Sequence, residues 1–335
     1  MADNRIKWID FIKGSTIFTV MLGHVISGMI RSGYFSDYDF FLETFYVKFL
    51  RSFSMPVFFM ISGILYSKKR YTPIKDIKVS IVKKGIALGV PYLFFSTGYW
   101  MIKYIMGDNV RTPVDWQDLL LIFIKPIGYL WFLYVLFFLY LFIELLDYVF
   151  KNNFIVFFIV TILAVIRWFY SPDVFIIERI MQMGIYFYIG KIVVNKMDVF
   201  NNYLFTALCV IIFFSLQIIN VFDEISVENG GFNFILGCSA AFAIISLSRK
   251  MNTKNRFYVY FSQMGQITLP IYLIHPAITS AVRIALLYIG LQNVWIHLIL
   301  GVIISWSLSI YIYKFAEKYR WLDMIFYPVK YKKIS

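Results

Sequence analysis

Ten stretches of this chain are apolar over nearly the length a helix needs to cross lipid, about 20 residues. They run roughly 8–30, 49–66, 82–105, 128–148, 154–170, 176–194, 203–221, 231–248, 266–288 and 295–316. A chain of 335 residues has no water-soluble core large enough to hide them all. Composition agrees: 60% of residues are apolar and 15% charged, with a mean hydropathy of +0.72. A soluble domain carries about 25% charge. These values exclude a soluble, a disordered and a fibrous chain. Backbone in lipid has no water to bond with, so each span must satisfy its own N–H and C=O groups as a helix. The predicted fold is an all-α, polytopic integral membrane helical bundle of about ten transmembrane helices. Residues 118–127 are apolar but too short to span, and read as an interfacial or re-entrant piece.

The net charge of +13 would suggest nucleic acid in a soluble protein. Here its distribution explains it. The N-terminus, 67–81, 149–153, 195–202, 249–257 and the C-terminal tail hold eighteen Lys and Arg, against four in the alternate connections. That is a strong positive-inside bias, and an even number of spans then puts both termini in the cytoplasm. The basic excess is a topology signal and no nucleic-acid partner is expected; the partner it implies is membrane lipid. The first apolar stretch is not a cleavable signal peptide, because Asp10 and Lys13 interrupt it and no small-x-small site follows. Residues 1–335 are expected to form a single transmembrane domain with no separate soluble domain. The longest outer connection, 31–48, is only 18 residues, so function must reside in the helices and short loops. This compact design points to a bacterial cell membrane. Cys209 and Cys238 lie in apolar runs, which argues against a disulfide framework. There is no P-loop, no GxGxxG, no GxSxG elbow and no metal-ligand spacing of His and Cys. ATP-driven pumping and a tethered hydrolase are unsupported.

An ionisable group inside a membrane costs several kcal/mol unless paired or wet, so the few present carry the information. In the first span Lys13 and His24 are eleven residues apart. That is three turns plus about 20°, so they share a face, roughly 16 Å apart along the axis. Asp10 lies within about 40° of that face and is an i,i+3 partner for Lys13. The ninth span carries Thr268, Tyr272, His275, Thr279 and Arg283 at helical spacing. Such a stripe must face the bundle interior or a wet cavity. Helix–helix glue by buried polar groups is the competing explanation. Pro270 and Pro276 remove backbone donors around His275 and leave carbonyls open to a ligand. In the second span Arg51, Ser54 and Ser62 share a face; Arg51 is an anion contact or a snorkelling residue. Lys68, Lys69, Arg70, Lys75, Lys78, Lys83 and Lys84 form the densest basic patch. It serves topology and anionic lipid, or it docks a polyphosphate. Tyr129, Trp131, Phe132 and Tyr134 fit an interfacial aromatic belt or the wall of a sugar site. His297, at the outer end of the last span, reads as an interfacial residue.

These motifs resemble the acyltransferase-3 family of integral membrane acyltransferases, and within it the fucose 4-O-acetylase-like sugar O-acetylases. Lys13-x10-His24 matches that family's Arg/Lys-x10-His. Phe53-Ser54-Met55-Pro56-Val57-Phe58-Phe59, with Ser62-Gly63, is similar to its second-helix motif. Leu130-Trp131-Phe132-Leu133 and Ile271-Tyr272-Leu273-Ile274-His275 resemble two later ones. The chain departs where many members carry Arg-x-x-Arg before the third helix: it has Lys83-Lys84-Gly85 and Leu88. Larger relatives add an external hydrolase-like domain, which is not expected within these 335 residues.

The resemblance implies acetyl-CoA as cytoplasmic acyl donor and a carbohydrate acceptor, a sugar hydroxyl on a lipid-linked or exported glycan. The thioester is already activated, so no metal is required. Within this reading His24 is general base or acyl relay, and Asp10 and Lys13 hold its helix and charge in register. His275 and Tyr272 position the acceptor or the thioester carbonyl. Lys83, Lys84 and Arg51 meet anionic groups, and Ser54, Trp131 and Arg283 complete the substrate-binding set. Two other readings fit the deep polar groups: a transporter or flippase of a glycan or small anion, and a non-catalytic subunit of an envelope-polymer assembly. No paired half-helices and no inverted repeat support the transporter.

Overall fold

The computed structural model describes residues 6–67, 74–107, 112–222 and 230–331, and no strand occurs among them. The all-α expectation holds. Twelve helices carry the argument: α1 Lys7–Ile30, α2 Arg51–Tyr66, α3 Ile74–Met106, α4 Trp131–Phe150, α5 Asn153–Phe169 and α6 Phe175–Val193. They continue with α7 Tyr203–Phe222, α8 Gly230–Lys250, α9 Arg256–Gln266, α10 Thr268–Tyr288, α11 Val294–Ala316 and α12 Arg320–Phe326.

Among the described residues eight helices are long and apolar enough to cross a membrane. They correspond to eight of the ten stretches read from the sequence; the second is longer than expected, because a helical run from Ser36 leads into α2 and takes up most of the connection expected at 31–48. The two that differ are α5, an apolar helix of 17 residues, and α6, whose 19 residues include Glu178, Arg179 and Lys191. The protein is a polytopic membrane bundle. The short piece expected at 118–127 contains a single helical turn, Asp118–Leu121.

The chain folds as two compact units. The first holds Met1–Lys68 and Tyr186–Tyr313; the second holds Lys69–Ile185 and Lys314–Ser335. In the first, α1 is the central strut, packed against α9, α10, α2 and α8. Ile12, Ile17, Met21 and Ile26 of α1 are fully buried. In lipid this burial gains little hydrophobic free energy, and close packing supplies the association. Small residues make that possible. A Cβ on Gly14 would overlap the carbonyl oxygen of Phe261 in α9, and one on Gly265 would overlap that of Asp10. The two glycines thus let α1 and α9 backbones touch. Phe11 stacks on Tyr258 at 4.8 Å beside this contact.

Sequence reading left α9 out, placing a connection at 249–257 and opening the ninth span at 266. The structure instead ends α9 at Gln266, turns at Ile267 (φ −110°, ψ 24°) and starts α10 at Thr268. Pro270 sits in the first turn of α10, where its missing N–H costs nothing.

In the second unit α3 packs against α4 and the C-terminal α12. Tyr92 of α3 donates to the Ile122 carbonyl, and Phe95 packs on Phe326 at 5.6 Å. The buried Asp323 carboxylate accepts from Lys330 Nζ at 2.7 Å and from the Tyr331 hydroxyl at 2.6 Å.

Candidate active site

A polar cluster of the first unit forms where α1 meets α10. His24 stands on α1 and His275 on α10, and their rings meet edge to face with centroids 5.1 Å apart. The sequence placed the two histidines at comparable depth; the fold brings them into contact. His275 is fully buried. Its Nδ1 lies 2.7 Å from the Ile271 carbonyl oxygen one turn earlier. A carbonyl only accepts, so Nδ1 carries the proton and the neutral ring keeps its lone pair on Nε2. The ring orientation is therefore set by the helix's own backbone.

In the rest of the α10 stripe Tyr272 and Thr279 are buried, and Thr268 and Arg283 are half-buried. Tyr272 is buried, with its ring centroid 6.4 Å from that of His275. Thr279 is buried and donates to the Pro276 carbonyl at 2.9 Å. Arg283, two turns above His275, reaches back to α1. Its guanidinium occupies the space a Cβ on Gly28 would fill. Gly28 is one turn beyond His24, so the absent side chain seats a cation against α1 one turn from the histidine pair. Tyr46 fills the equivalent space over Gly23.

At the other end of α1, Lys13 Nζ is 3.3 Å from Asp10 Oδ1, and both side chains are largely shielded. This is the i,i+3 pair expected from the sequence. The Asp10 carbonyl is also where Gly265 touches α1, so the pair sits on the tightest backbone contact of the unit. Ser54 is buried, donates to the Leu50 carbonyl at 2.6 Å and lies 3.4 Å from Thr19 Oγ1. It therefore ties α2 to α1. Arg51 is exposed at the head of α2.

Lys83, Lys84 and Trp131 belong to the second unit. Lys83 is exposed, while Lys84 Nζ lies over the Tyr140 ring at 3.8 Å from its centroid. Lys68, Lys69 and Arg70 of the expected basic patch lie outside the described residues. Trp131 opens α4 beneath the Arg179 guanidinium. His297 is 2% exposed and its Nε2 lies 2.7 Å from the Leu291 carbonyl oxygen, which ties the loop before α11 to that helix.

Several polar residues escaped the sequence reading. Gln217 and Asn220 of α7 are buried; Gln217 donates to Ser52 Oγ at 2.6 Å and Asn220 to the Lys48 carbonyl at 2.6 Å. Arg167, Glu178 and Arg179 form a cluster in the second unit. Their signal was available, since each interrupts an apolar stretch.

A family model described as an acyltransferase domain, acyltransferase-3, matches residues 6–314. The chain belongs to the acyltransferase-3 family. The match begins one residue before α1 and ends inside α11, so it takes in both units and the histidine pair. Among curated proteins, this family member is similar to the nodulation protein NolL of Mesorhizobium japonicum, 30% identical over 149 residues. Those residues are 43% of this chain and 37% of NolL, so the match spans well under two thirds of that relative. No solved structure matches. Family membership and the apolar helices together make this a membrane protein that carries an acyltransferase-3 domain.

Proposed function

We propose that this acyltransferase moves an acetyl group from acetyl-CoA to a sugar hydroxyl of a lipid-linked or exported cell-envelope glycan. The observation that carries the reading is the contact between His24 and His275, with Arg283 seated against Gly28 one turn away. In the proposed reaction His24 is the general base. It takes the proton of the acceptor hydroxyl as that oxygen attacks the thioester carbonyl. The C–O bond forms, the C–S bond breaks, and the proton passes to the departing thiolate. Imidazole suits this task because its ordinary pKa is near neutrality. His275, with its proton held on Nδ1 by the Ile271 carbonyl, positions a substrate oxygen or the His24 ring. Arg283 offers its charge to the oxyanion that develops on the thioester carbonyl. Asp10 and Lys13 hold the start of α1 in register, and Tyr272 and Ser54 are proposed substrate contacts. Lys83, Lys84 and Arg51 are proposed contacts for anionic groups of the substrates.

The charge distribution supports a bacterial cell-membrane protein with both termini inside, which puts the basic ends where the coenzyme is found. Purified protein incubated with radiolabelled acetyl-CoA and a crude lipid-linked glycan fraction tests the proposal. Label should enter the glycan with the natural chain and fall by at least about a hundredfold with His24→Ala, the usual reach of a general base. Label that survives the substitution would remove His24 from the chemistry. No label with any short-chain acyl-CoA would return the chain to the transporter reading.

A further inference from the structure

The second unit holds a charged and aromatic cluster that the histidine site does not use. Arg167 at the end of α5 gives two hydrogen bonds to Glu178 Oε1 of α6, from Nε at 3.1 Å and Nη2 at 2.6 Å. That pair alone staples α5 to α6. Arg179 then brings a second guanidinium to the same carboxylate, with Nε 3.3 Å from Oε2. Because it neighbours Glu178 on the same helix, it adds nothing to the staple. It places a like charge near Arg167, at the N-terminal end of a helix, where the dipole disfavours cations.

What surrounds Arg179 has a different logic. Its guanidinium carbon is 5.4 Å from the ring centroid of Trp131 and 5.4 Å from that of Phe175. Nη1 donates to Gln182 Oε1 at 2.6 Å. The side chain is thus clamped between two rings and one amide while 30% of it stays exposed. A planar fork held rigid at an open edge is the usual receptor for a carboxylate or phosphate. An indole beside it offers a broad apolar face to the C–H side of a sugar ring. By the charge count these helix ends lie on the outer side.

We propose that Arg179 and Trp131 form an acceptor subsite that takes an anionic sugar residue: the oxyanion on Arg179, the ring on Trp131. Glu178 and Arg167 hold Arg179 in place. The inference rests on the reading of the chain as a glycan acyltransferase and adds the charge class of the acceptor.

The test is binding, so that it stands apart from turnover. Full-length protein in phosphatidylcholine nanodiscs is titrated calorimetrically with D-glucuronate, inorganic phosphate and D-glucose. Glucuronate should bind saturably, and Arg179→Gln should weaken glucuronate and phosphate by about tenfold or more. Trp131→Ala should weaken glucuronate and leave phosphate unchanged. Arg179→Gln should melt close to the natural chain, whereas Arg167→Gln, which breaks the staple, should melt lower. Absent glucuronate binding, or equal binding by Arg179→Gln, overturns the subsite even if the natural chain still labels glycan with acetyl. Glucuronate binding that vanishes in discs containing phosphatidylglycerol assigns the cation to a lipid headgroup and also overturns it. Binding intact in a chain that transfers no acetyl would leave the subsite standing and reject the acetyltransfer reading.

Discussion

At the scale of single residues, the cluster depends on what is missing as much as on what is present. Gly28 is small so that Arg283 can lie against α1 one turn from His24. The contact is with the far end of a flexible side chain, so a methyl group there displaces the guanidinium without moving backbone. Gly28→Ala should therefore lower acetyl transfer by about tenfold, the effect of misplacing one oxyanion donor in part. The melting temperature in detergent should stay within a few degrees. A large loss of stability with unchanged transfer would mean that Gly28 serves packing and Arg283 does not serve the site. Lys330 makes a different residue-scale case. Its hydrogen bond to the buried Asp323 carboxylate raises its pKa above the ordinary value of 10.5. A group whose folded pKa is raised contributes stability that is complete below the unfolded value and is lost as pH rises through the folded one. The melting difference between the natural chain and Lys330→Met should be flat from pH 6 to about 9 and shrink only above the ordinary lysine range. A difference that disappears on acidification would contradict the pairing.

At the scale of elements, α1 is a helix with two jobs, and α9 explains how it performs both. Its N-terminal third is fixed by the Gly14–Gly265 contact and the Phe11–Tyr258 stack, which leaves the His24 end to meet α10. Unlike Gly28, Gly14 faces backbone that cannot rotate away. Gly14→Ala should cost about 1–3 kcal/mol, the usual penalty of overpacking, and lower the detergent melting temperature accordingly. A neutral result would mean α9 is loosely docked. The sequence made much of α1 and α10 legible, because ionisable residues in lipid are rare and their helical spacing is easy to count. It could not reveal α9. That helix is amphipathic, short and contiguous with α10, so hydropathy merges its end with the next span. Nor could it show that Lys13 and His24 on one face lead to two separate contacts, with Asp10 and with His275. Gln217 and Asn220 were visible as polar letters in α7, but their partners Ser52 and Lys48 stand far away in sequence.

For the whole molecule, the order of motifs was the most informative signal. Four short patterns in the right order resembled the family, and the family model spans residues 6–314. The all-helical membrane fold followed from composition alone. The division into two units did not, because apolar helices that face lipid, a neighbour or a domain boundary have the same composition. The histidine pair lies within one unit and the Trp131–Arg179 cluster within the other. In the proposed reaction His24 and His275 act as one device. The most direct measurement is the rate of acetyl transfer by His24→Ala, His275→Ala and the double variant. Residues that act as a unit are strongly non-additive, so the double variant should be no slower than the worse single one. Losses that multiply, or a single variant at the natural rate, would contradict it.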